Sequence, residues 1–234
     1  MIGSDARTQA MPQAGFADRR EGGRQLAVAL RAYAHRPGVL VLGLPRGGVP
    51  VADEVAAALD APLDALVVRK LGVPGHEELA MGAVASGGVS VLNRDIIHEF
   101  AISQVAIDRV TELESAEMAR REEVFRGETP FPDVTGRIVI LVDDGLATGA
   151  TMSAAVAAIR SMRPARVVVA TPVASREAMQ LLGHAADDCV SVIVPDPFYG
   201  VGVWYDDFTQ TTDREVRHIL AAARLRAAVP AALS

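Results

Sequence analysis

The chain alternates short runs of consecutive apolar residues with longer segments in which apolar residues recur at helical spacing. Uninterrupted apolar runs are typical of strands that are buried on both faces of a parallel sheet. We predict strands at 39–44, 63–68, 138–142, 167–171 and 190–194, with a further short strand at 89–92. We predict helices between them at 51–59, 151–162 and 175–182. This alternation predicts an α/β fold, with a parallel central sheet flanked by helices.

The segments outside this alternation divide the chain into three parts. Residues 1–15 are small and polar and are expected to form a loose tail. Residues 16–194 hold the predicted core, which includes a heavily charged helix at 102–126 with acid–base pairs three and four positions apart. The segment 195–234 differs in composition, because it begins with aromatic residues among glycines and ends in a predicted helix at 213–228.

Composition and charge exclude several classes of protein. Half of the 234 residues are hydrophobic and 22% are charged, which indicates an ordered globular core. The formal net charge of −6 argues against non-specific nucleic-acid binding, because that mode needs clustered cations. Cys189 is the only cysteine, so neither an internal disulfide nor a cysteine-cluster metal site is expected, and a reducing cytoplasm fits best. The N-terminal residues lack the apolar core of a secretory signal, and no apolar run approaches the ~18 residues of a membrane span.

The most specific chemistry lies in VILVDDGLATGAT, residues 139–151. A buried strand ends in Asp143 and Asp144, and a turn of small residues then opens a helix. Backbone N–H groups at a helix start, with threonine hydroxyls, form an anion site. Carboxylates beside it repel a phosphate but accept hydrogen bonds from vicinal sugar hydroxyls, so the pattern indicates a ribose 5-phosphate. A helix cap at Thr148 would explain one residue but not the ordered set. A Walker A loop and a Rossmann glycine fingerprint are both absent.

This segment resembles the diphosphoribose-binding signature of the type I phosphoribosyltransferases. The segments 42–52, 69–85 and 195–208 resemble a poorly characterised bacterial branch of the same family. The resemblance implies a parallel sheet with a small C-terminal hood, and it implies 5-phospho-α-D-ribose 1-diphosphate (PRPP) as donor with Mg²⁺. Asp143 and Asp144 would hold the ribose hydroxyls and would act on the metal indirectly, through ribose and water. The residues that would cradle the 5-phosphate are Ala147, Thr148, Gly149, Ala150 and Thr151.

Two cationic positions follow other predicted strands. In Pro45-Arg46-Gly47-Gly48 the glycines allow close backbone approach, and Arg46 offers a planar fork for phosphate oxygens. The matching turn of the family binds pyrophosphate, often through a non-proline cis peptide. Arg69 and Lys70 end the next predicted strand and resemble the orotate-type members, in which the lysine meets the diphosphate. The resemblance thus makes Arg46 and Lys70 catalytic groups with the two aspartates, and Gly47, Gly48 and Arg69 binding groups. A plain turn and a solvated strand-end pair are the alternative interpretations.

Two further segments leave alternatives open. Residues 71–88 contain several glycines and the ionisable His76, which is typical of a mobile lid, but their apolar centre also fits an ordered β-hairpin. In the aromatic segment, Phe198, Tyr199 and Trp204 could stack on a base, as the hood of the family does. A small hydrophobic cluster or a dimer patch would explain the same residues.

These observations predict a transferase of the pentosyltransferase class. A nitrogenous base, a purine or a pyrimidine, would displace pyrophosphate from PRPP, which would place the protein in nucleotide metabolism. The resemblance also implies a homodimer. The alternative function is a non-catalytic regulatory module that binds PRPP or a nucleotide. A phosphotransfer receiver domain is disfavoured, because receivers place their acid pair after the first strand.

Overall fold

A computed structural model describes residues 15–228. Its strands are β1 Val39–Gly43, β2 Leu63–Ala65, β3 Val68–Val73, β4 His76–Ala85, β5 Val89–Leu92, β6 Ile138–Val142, β7 Arg166–Val173 and β8 Asp188–Ile193. Its helices are α1 Arg19–Ala29, α2 Gly48–Leu59, α3 Arg94–Glu99, α4 Gln104–Arg126, α5 Ala150–Ser161, α6 Arg176–Gly183 and α7 Asp213–Ala228. Single 3₁₀ turns lie at Arg31–Tyr33 and Gly202–Trp204.

Five strands form a parallel sheet in the order β2-β1-β6-β7-β8, as the continuous apolar runs predict. Alternate side chains enter two separate cores because successive residues of a strand point to opposite faces. Leu40 and Leu42 pack with α5 and α6, whereas Val39 and Val41 pack with α1, α2 and α7. The prediction of an α/β fold with helices on both faces of a parallel sheet is therefore confirmed.

The predicted strand at 63–68 divides between two sheets. β2 pairs with β1 in the parallel sheet, and β3 pairs with β4 in a separate antiparallel sheet of order β3-β4-β5. The chain leaves the parallel sheet after Ala65, where the Leu66 amide still donates to the Gly43 carbonyl at 3.0 Å. Residues 71–88 form most of a β-hairpin that turns at Gly75, so this stretch adopts the second of its two expected structures.

The aromatic segment folds back over the start of the described chain. Phe16 forms an isolated bridge with Tyr205, and both join Val173 and Trp204 in a small buried cluster. The closing helix is found at α7, where it contacts α2, α4 and β2. The loose tail expected at 1–15 lies outside the described residues, except for Gly15. Between residues 15 and 228, no helix combines the length and apolarity that crossing a membrane would need.

Candidate functional site

Two loops meet at the carboxyl edge of the parallel sheet. β1 and β6 are neighbours in register, with Gly43 beside Val142, so the turn after β1 and the loop after β6 leave the sheet side by side. The Leu44 amide donates to the Val142 carbonyl at 2.8 Å, and the Pro45–Arg46 peptide bond is cis. A Cβ on Gly48 would lie 2.6 Å from the Val142 carbonyl oxygen, which only glycine avoids. The two segments that the sequence singled out separately therefore form one site.

The two acids lie in the turn that follows β6, where the chain no longer alternates as a strand. The Asp143 Oδ1 atom accepts a hydrogen bond from the Asp144 amide at 2.9 Å. A Cβ on Gly47 would overlap the Asp144 carboxylate, so the β1 turn packs directly against this acid. Both aspartates are half-buried. They can accept hydrogen bonds from the hydroxyls of one sugar only because the strand has ended before them.

Burial governs the charge of this acid pair. It raises the pKa of Asp143 well above its usual range, and the neighbouring charge of Asp144 raises this pKa further. It also raises the pKa of Asp144, although the hydrogen bond from Arg19 opposes that shift. Two carboxylates in such a place need hydrogen-bond donors or a cation opposite them. Sugar hydroxyls and a metal–phosphate complex both meet that need.

Arg19, at the start of α1, forms an ion pair with the Asp144 carboxylate. Its Nε atom donates to the Asp144 Oδ2 atom at 2.7 Å, and its Nη1 atom donates to the Thr209 carbonyl at 2.7 Å. The guanidinium lies 3.9 Å from the ring centroid of Phe208, and only 11% of the side chain is exposed. The Tyr205 hydroxyl donates to the Asp144 carbonyl oxygen at 2.6 Å. The aromatic segment is thereby attached to the acid loop.

The loop between Asp144 and α5 has the form of an anion cradle. Gly149 caps α5 in a left-handed conformation with φ of 73°, and Ala150 is the first helical residue. The Ala150 amide donates to the Thr148 hydroxyl at 3.4 Å, while Ala147 and Thr148 are exposed. The N–H groups of the first helical turn have no partner within the helix and attract anions. Thr151, the next residue, lies in this first turn.

The expected cations divide between two cavities. Arg46 lines a cavity of about 700 Å³ with Gly47 and Asp144, and its Nη1 atom lies 3.5 Å from the Asp213 carboxylate. Lys70 lines a second cavity, of about 810 Å³, with Thr151 at the start of α5. Arg69 borders this second cavity too, but it is paired with Glu114 of α4 at 2.6 Å. Arg46 therefore lies in one cavity with Asp144, and Lys70 lies in another with the start of α5.

The three aromatic residues expected to stack on a base lie in different surroundings. Trp204 is only 6% exposed, because the backbone at Phe16 covers it and donates to its carbonyl at 2.8 Å. Phe198 packs against the same buried cluster, and Tyr199 is exposed. Of the C-terminal aromatic residues, Phe208 borders the Arg46 cavity, with its ring 5.1 Å from that of Tyr205, and Phe125 of α4 borders the same cavity. This corrects the role expected of Trp204, which is a core residue here.

Comparison with known families decides the classification. The model of the phosphoribosyl transferase domain matches residues 20–207 of the chain. The chain belongs to the phosphoribosyl transferase domain family. This agrees with the resemblance found in the acid loop, and the matched range includes both loops of the site.

The family relatives extend the same similarity. Two proteins of Mycobacterium tuberculosis, named "Putative phosphoribosyl transferase Rv0571c" and "Putative phosphoribosyl transferase MT0597", are each 47% identical over 201 residues. These residues make up 86% of this chain and 45% of each relative, so the chain spans less than half the length of those relatives. The crystal structure of TT1426 from Thermus thermophilus is 44% identical, with a TM-score of 0.82, and the match covers 89% of this chain and 98% of that one.

Magnesium is the metal that the family resemblance implies. No cluster of three or more His, Cys, Asp or Glu side chains that could hold a metal ion occurs within residues 15–228. Mg²⁺ in phosphate-handling sites, however, is bound by one or two carboxylates together with substrate oxygens and water. Asp143 and Asp144 fit that donor set, because they are two adjacent carboxylates that contact the glycines of the β1 turn and precede the helix start of α5.

Sequence reasoning missed Arg19 and Phe208 as parts of this site. Arg19 is separated from Asp144 by 125 positions, and in the sequence it is one of several arginines beside the apolar face of a helix. Phe208 stands among other aromatic residues without a distinguishing pattern. No local signal could have identified either residue, since both owe their place to the return of the C-terminal segment over α1.

Proposed function

We propose that this phosphoribosyl transferase domain transfers ribose 5-phosphate from PRPP to a nitrogenous base and releases pyrophosphate. The proposal rests chiefly on one observation, the direct packing of Gly47 against the Asp144 carboxylate. This contact brings the acidic pair, which is proposed to bind the sugar hydroxyls, next to the β1 turn. The turn supplies two glycines and Arg46 for the diphosphate. The phosphate cradle before α5 is only a few residues away along the same loop. Together the three features match the three parts of PRPP: ribose, diphosphate and 5-phosphate.

The residues can be given roles in the displacement at C1. As the bond from C1 to the diphosphate oxygen breaks and the bond to the base nitrogen forms, positive charge develops on the ribose ring and negative charge on the diphosphate. Asp143 and Asp144 hold the ribose hydroxyls and lie close enough to favour the positive ring. Arg46 and the N–H groups of the β1 turn stabilise the departing diphosphate.

Mg²⁺ would be held by the diphosphate together with Asp143 and Asp144, acting through ribose hydroxyls and water. When bound, it neutralises phosphate charge and so favours departure of the diphosphate. Lys70 and its neighbour Arg69 line the cavity beside residues 147–151, the proposed phosphate loop, and Lys70 is proposed to reach the diphosphate from the antiparallel sheet where the donor passes from this cavity to that of Arg46. Phe198 and Tyr199 remain proposed contacts of the base.

The test is calorimetric titration with PRPP, with and without Mg²⁺, followed by an assay of pyrophosphate release with a panel of purines and pyrimidines. We expect Mg²⁺-dependent binding and release with at least one base. Arg46→Gln should lose turnover while keeping part of the donor affinity, because the acids and the phosphate loop are unchanged. Absence of PRPP binding would contradict the proposal. Binding without release for any base would favour the regulatory alternative.

We also propose that the protein acts as a cytoplasmic homodimer. Support for association comes from two strongly exposed apolar side chains on α4, Val105 and Leu113. Light scattering at increasing concentration should give twice the mass of one chain. A constant monomer mass would contradict this part of the proposal and leave the reaction unaffected.

A further inference from the structure

The cavity beside Arg46 carries more positive charge than the β1 turn alone supplies. Four arginines and two aspartates, Asp144 and Asp213, line it, and two of the arginines, Arg120 and Arg121, come from the C-terminal half of α4. The sequence pattern alone indicates only that these two belong to a solvated helix face. They border the same cavity as Pro45, Arg46 and Gly47, so an anion held by the turn lies within the same enclosure as their guanidinium groups.

The two α4 arginines are hydrogen-bonded to the same carboxylate. Glu117 accepts from the Arg120 Nε atom at 2.8 Å and from the Arg121 Nε atom at 2.9 Å. These hydrogen bonds lower the pKa of Glu117 to about 2, so it is ionised at neutral pH. One carboxylate cannot neutralise two guanidinium groups, so these three side chains together carry one net positive charge, and the charge of Asp213 acts on Arg120 without a hydrogen bond. The side chains are 63% and 43% exposed, which leaves their remaining N–H groups accessible to a ligand.

The chemistry of the cavity suits a diphosphate better than a single phosphate. Guanidinium groups bind phosphate oxygens through paired hydrogen bonds, and several of them around one space match an anion with several charged oxygens. The phosphate loop at the start of α5 does not border this cavity; its Thr151 borders the other one. The two anionic ends of PRPP would therefore be recognised in different places.

We infer that Arg120 and Arg121 of α4 bind the diphosphate end of the donor and the released pyrophosphate, opposite Arg46 and the β1 turn. This inference rests on the proposed function and adds to it a second wall of the diphosphate site. The wall comes from α4, a helix that borders the other cavity with its N-terminal half. Cations on this wall are specificity-determining, because they favour donors that carry a diphosphate over ribose 5-phosphate alone.

The test compares two simple probes, inorganic pyrophosphate and ribose 5-phosphate, by calorimetry in Mg²⁺ buffer. In Arg120→Gln/Arg121→Gln we expect the pyrophosphate dissociation constant to rise about tenfold, since charge-assisted hydrogen bonds are lost. The ribose 5-phosphate constant should stay unchanged. Arg217→Gln is the matched control, because Arg217 is exposed on α7 and is not part of the cavity lining. Arg120→Lys/Arg121→Lys should restore part of the affinity.

A variant that is expected to increase pyrophosphate affinity tests whether the two arginines have a merely structural role. Glu117→Gln removes the negative charge beside the arginines and keeps an acceptor oxygen, so pyrophosphate should bind about threefold more tightly. Unchanged pyrophosphate affinity in the double variant, or no gain in Glu117→Gln, would overturn the inference and leave the proposed function intact. If the wild-type protein binds neither probe and does not bind PRPP, the proposed function fails together with the inference.

Discussion

The two sheets of this domain use their side chains in different ways. Every residue of β1 is buried, and β6 is buried from its second residue onward, so these strands have no side chain left for chemistry. In the antiparallel sheet β3 is half-buried and carries Arg69 and Lys70 within the strand itself. β1 and β6 therefore offer chemistry only where they end. The smaller sheet, by contrast, carries charged side chains within β3, which has one face outside the core.

The sheets also differ in how they are held. The parallel sheet is stabilised by apolar burial on both faces, whereas the small sheet is joined to it both by apolar residues such as Met81 and Val84 and by a buried polar network. Arg126, at the end of α4, donates to Asp64 of β2 at 3.0 Å and to the Ala65 carbonyl at 2.5 Å. It also reaches the Ser86 hydroxyl, which accepts from the Val67 amide at 2.9 Å. One side chain thus connects α4, the edge of the parallel sheet and the end of β4.

Breaking that connection should give the largest effect. Arg126→Met leaves Asp64 buried without its partner, and we expect a loss of about 3–5 kcal/mol in the free energy of unfolding. Chemical denaturation measures it. Arg109→Met on the same helix is the matched control, because Arg109 is exposed, and it should change the free energy by less than about 0.5 kcal/mol. Equal stability of the two variants would mean that apolar packing, and not the buried pair, joins the sheets.

The same difference explains what the sequence could reveal. Continuous apolar runs predict the buried parallel strands, and the acid loop is predictable because its residues are consecutive. The division of 63–68 between two sheets is not predictable, since Leu66 and Val67 are as apolar as the strands on either side. The pairing of Arg19 with Asp144 and the covering of Trp204 by Phe16 depend on contacts across most of the chain. The local sequence pattern therefore predicts where the buried strands end. It does not predict which side chains from distant segments lie next to those ends.

The next prediction removes the chemistry at the end of β6. Asp143→Asn/Asp144→Asn should weaken PRPP binding by at least about a hundredfold, because each ionised acceptor of a sugar hydroxyl contributes about 1.5–3 kcal/mol. Calorimetry with PRPP and Mg²⁺ measures the change, and circular dichroism should show the fold retained. Asp108→Asn, at an exposed position on α4, is the control and should bind like the wild-type protein. Wild-type affinity in the double variant would contradict the ribose assignment.

A smaller change tests the close packing of the two loops. The added methyl group in Gly47→Ala meets the Asp144 carboxylate and approaches the Arg19 Nε atom at 3.1 Å, so the β1 turn must move. We expect PRPP affinity to fall about tenfold, because the N–H groups of the β1 turn are then no longer aligned with the diphosphate. Gly183→Ala is the control, because no heavy atom lies within 4 Å of its added Cβ. If the two variants bind PRPP equally, the turn does not contribute to donor binding.

The smallest expected effect is on the free energy of unfolding, which ionisation of Asp143 should lower. Burial, with the charge of Asp144, raises the pKa of Asp143 in the folded protein. The folded state then holds this proton more strongly than the unfolded chain, so ionising Asp143 destabilises the protein increasingly as pH rises from the ordinary aspartate range through the raised pKa. Asp143→Asn cannot ionise. It should unfold at higher denaturant concentration than the wild-type protein at pH 8, and this advantage should shrink toward pH 4.

An acid with the opposite shift provides the control. The hydrogen bond from Arg160, and then that from the Val167 amide, lowers the pKa of Asp187, so its ionised form stabilises the folded state above the ordinary aspartate range. Asp187→Asn should therefore be less stable than the wild-type protein at pH 8, with the deficit shrinking as pH falls. If Asp143→Asn is more stable and Asp187→Asn less stable than the wild-type protein at pH 8, then Asp143 lowers the stability of the fold. That is expected of a residue whose role is to bind a ligand. A loss of stability in both would show that Asp143 is held for structure instead.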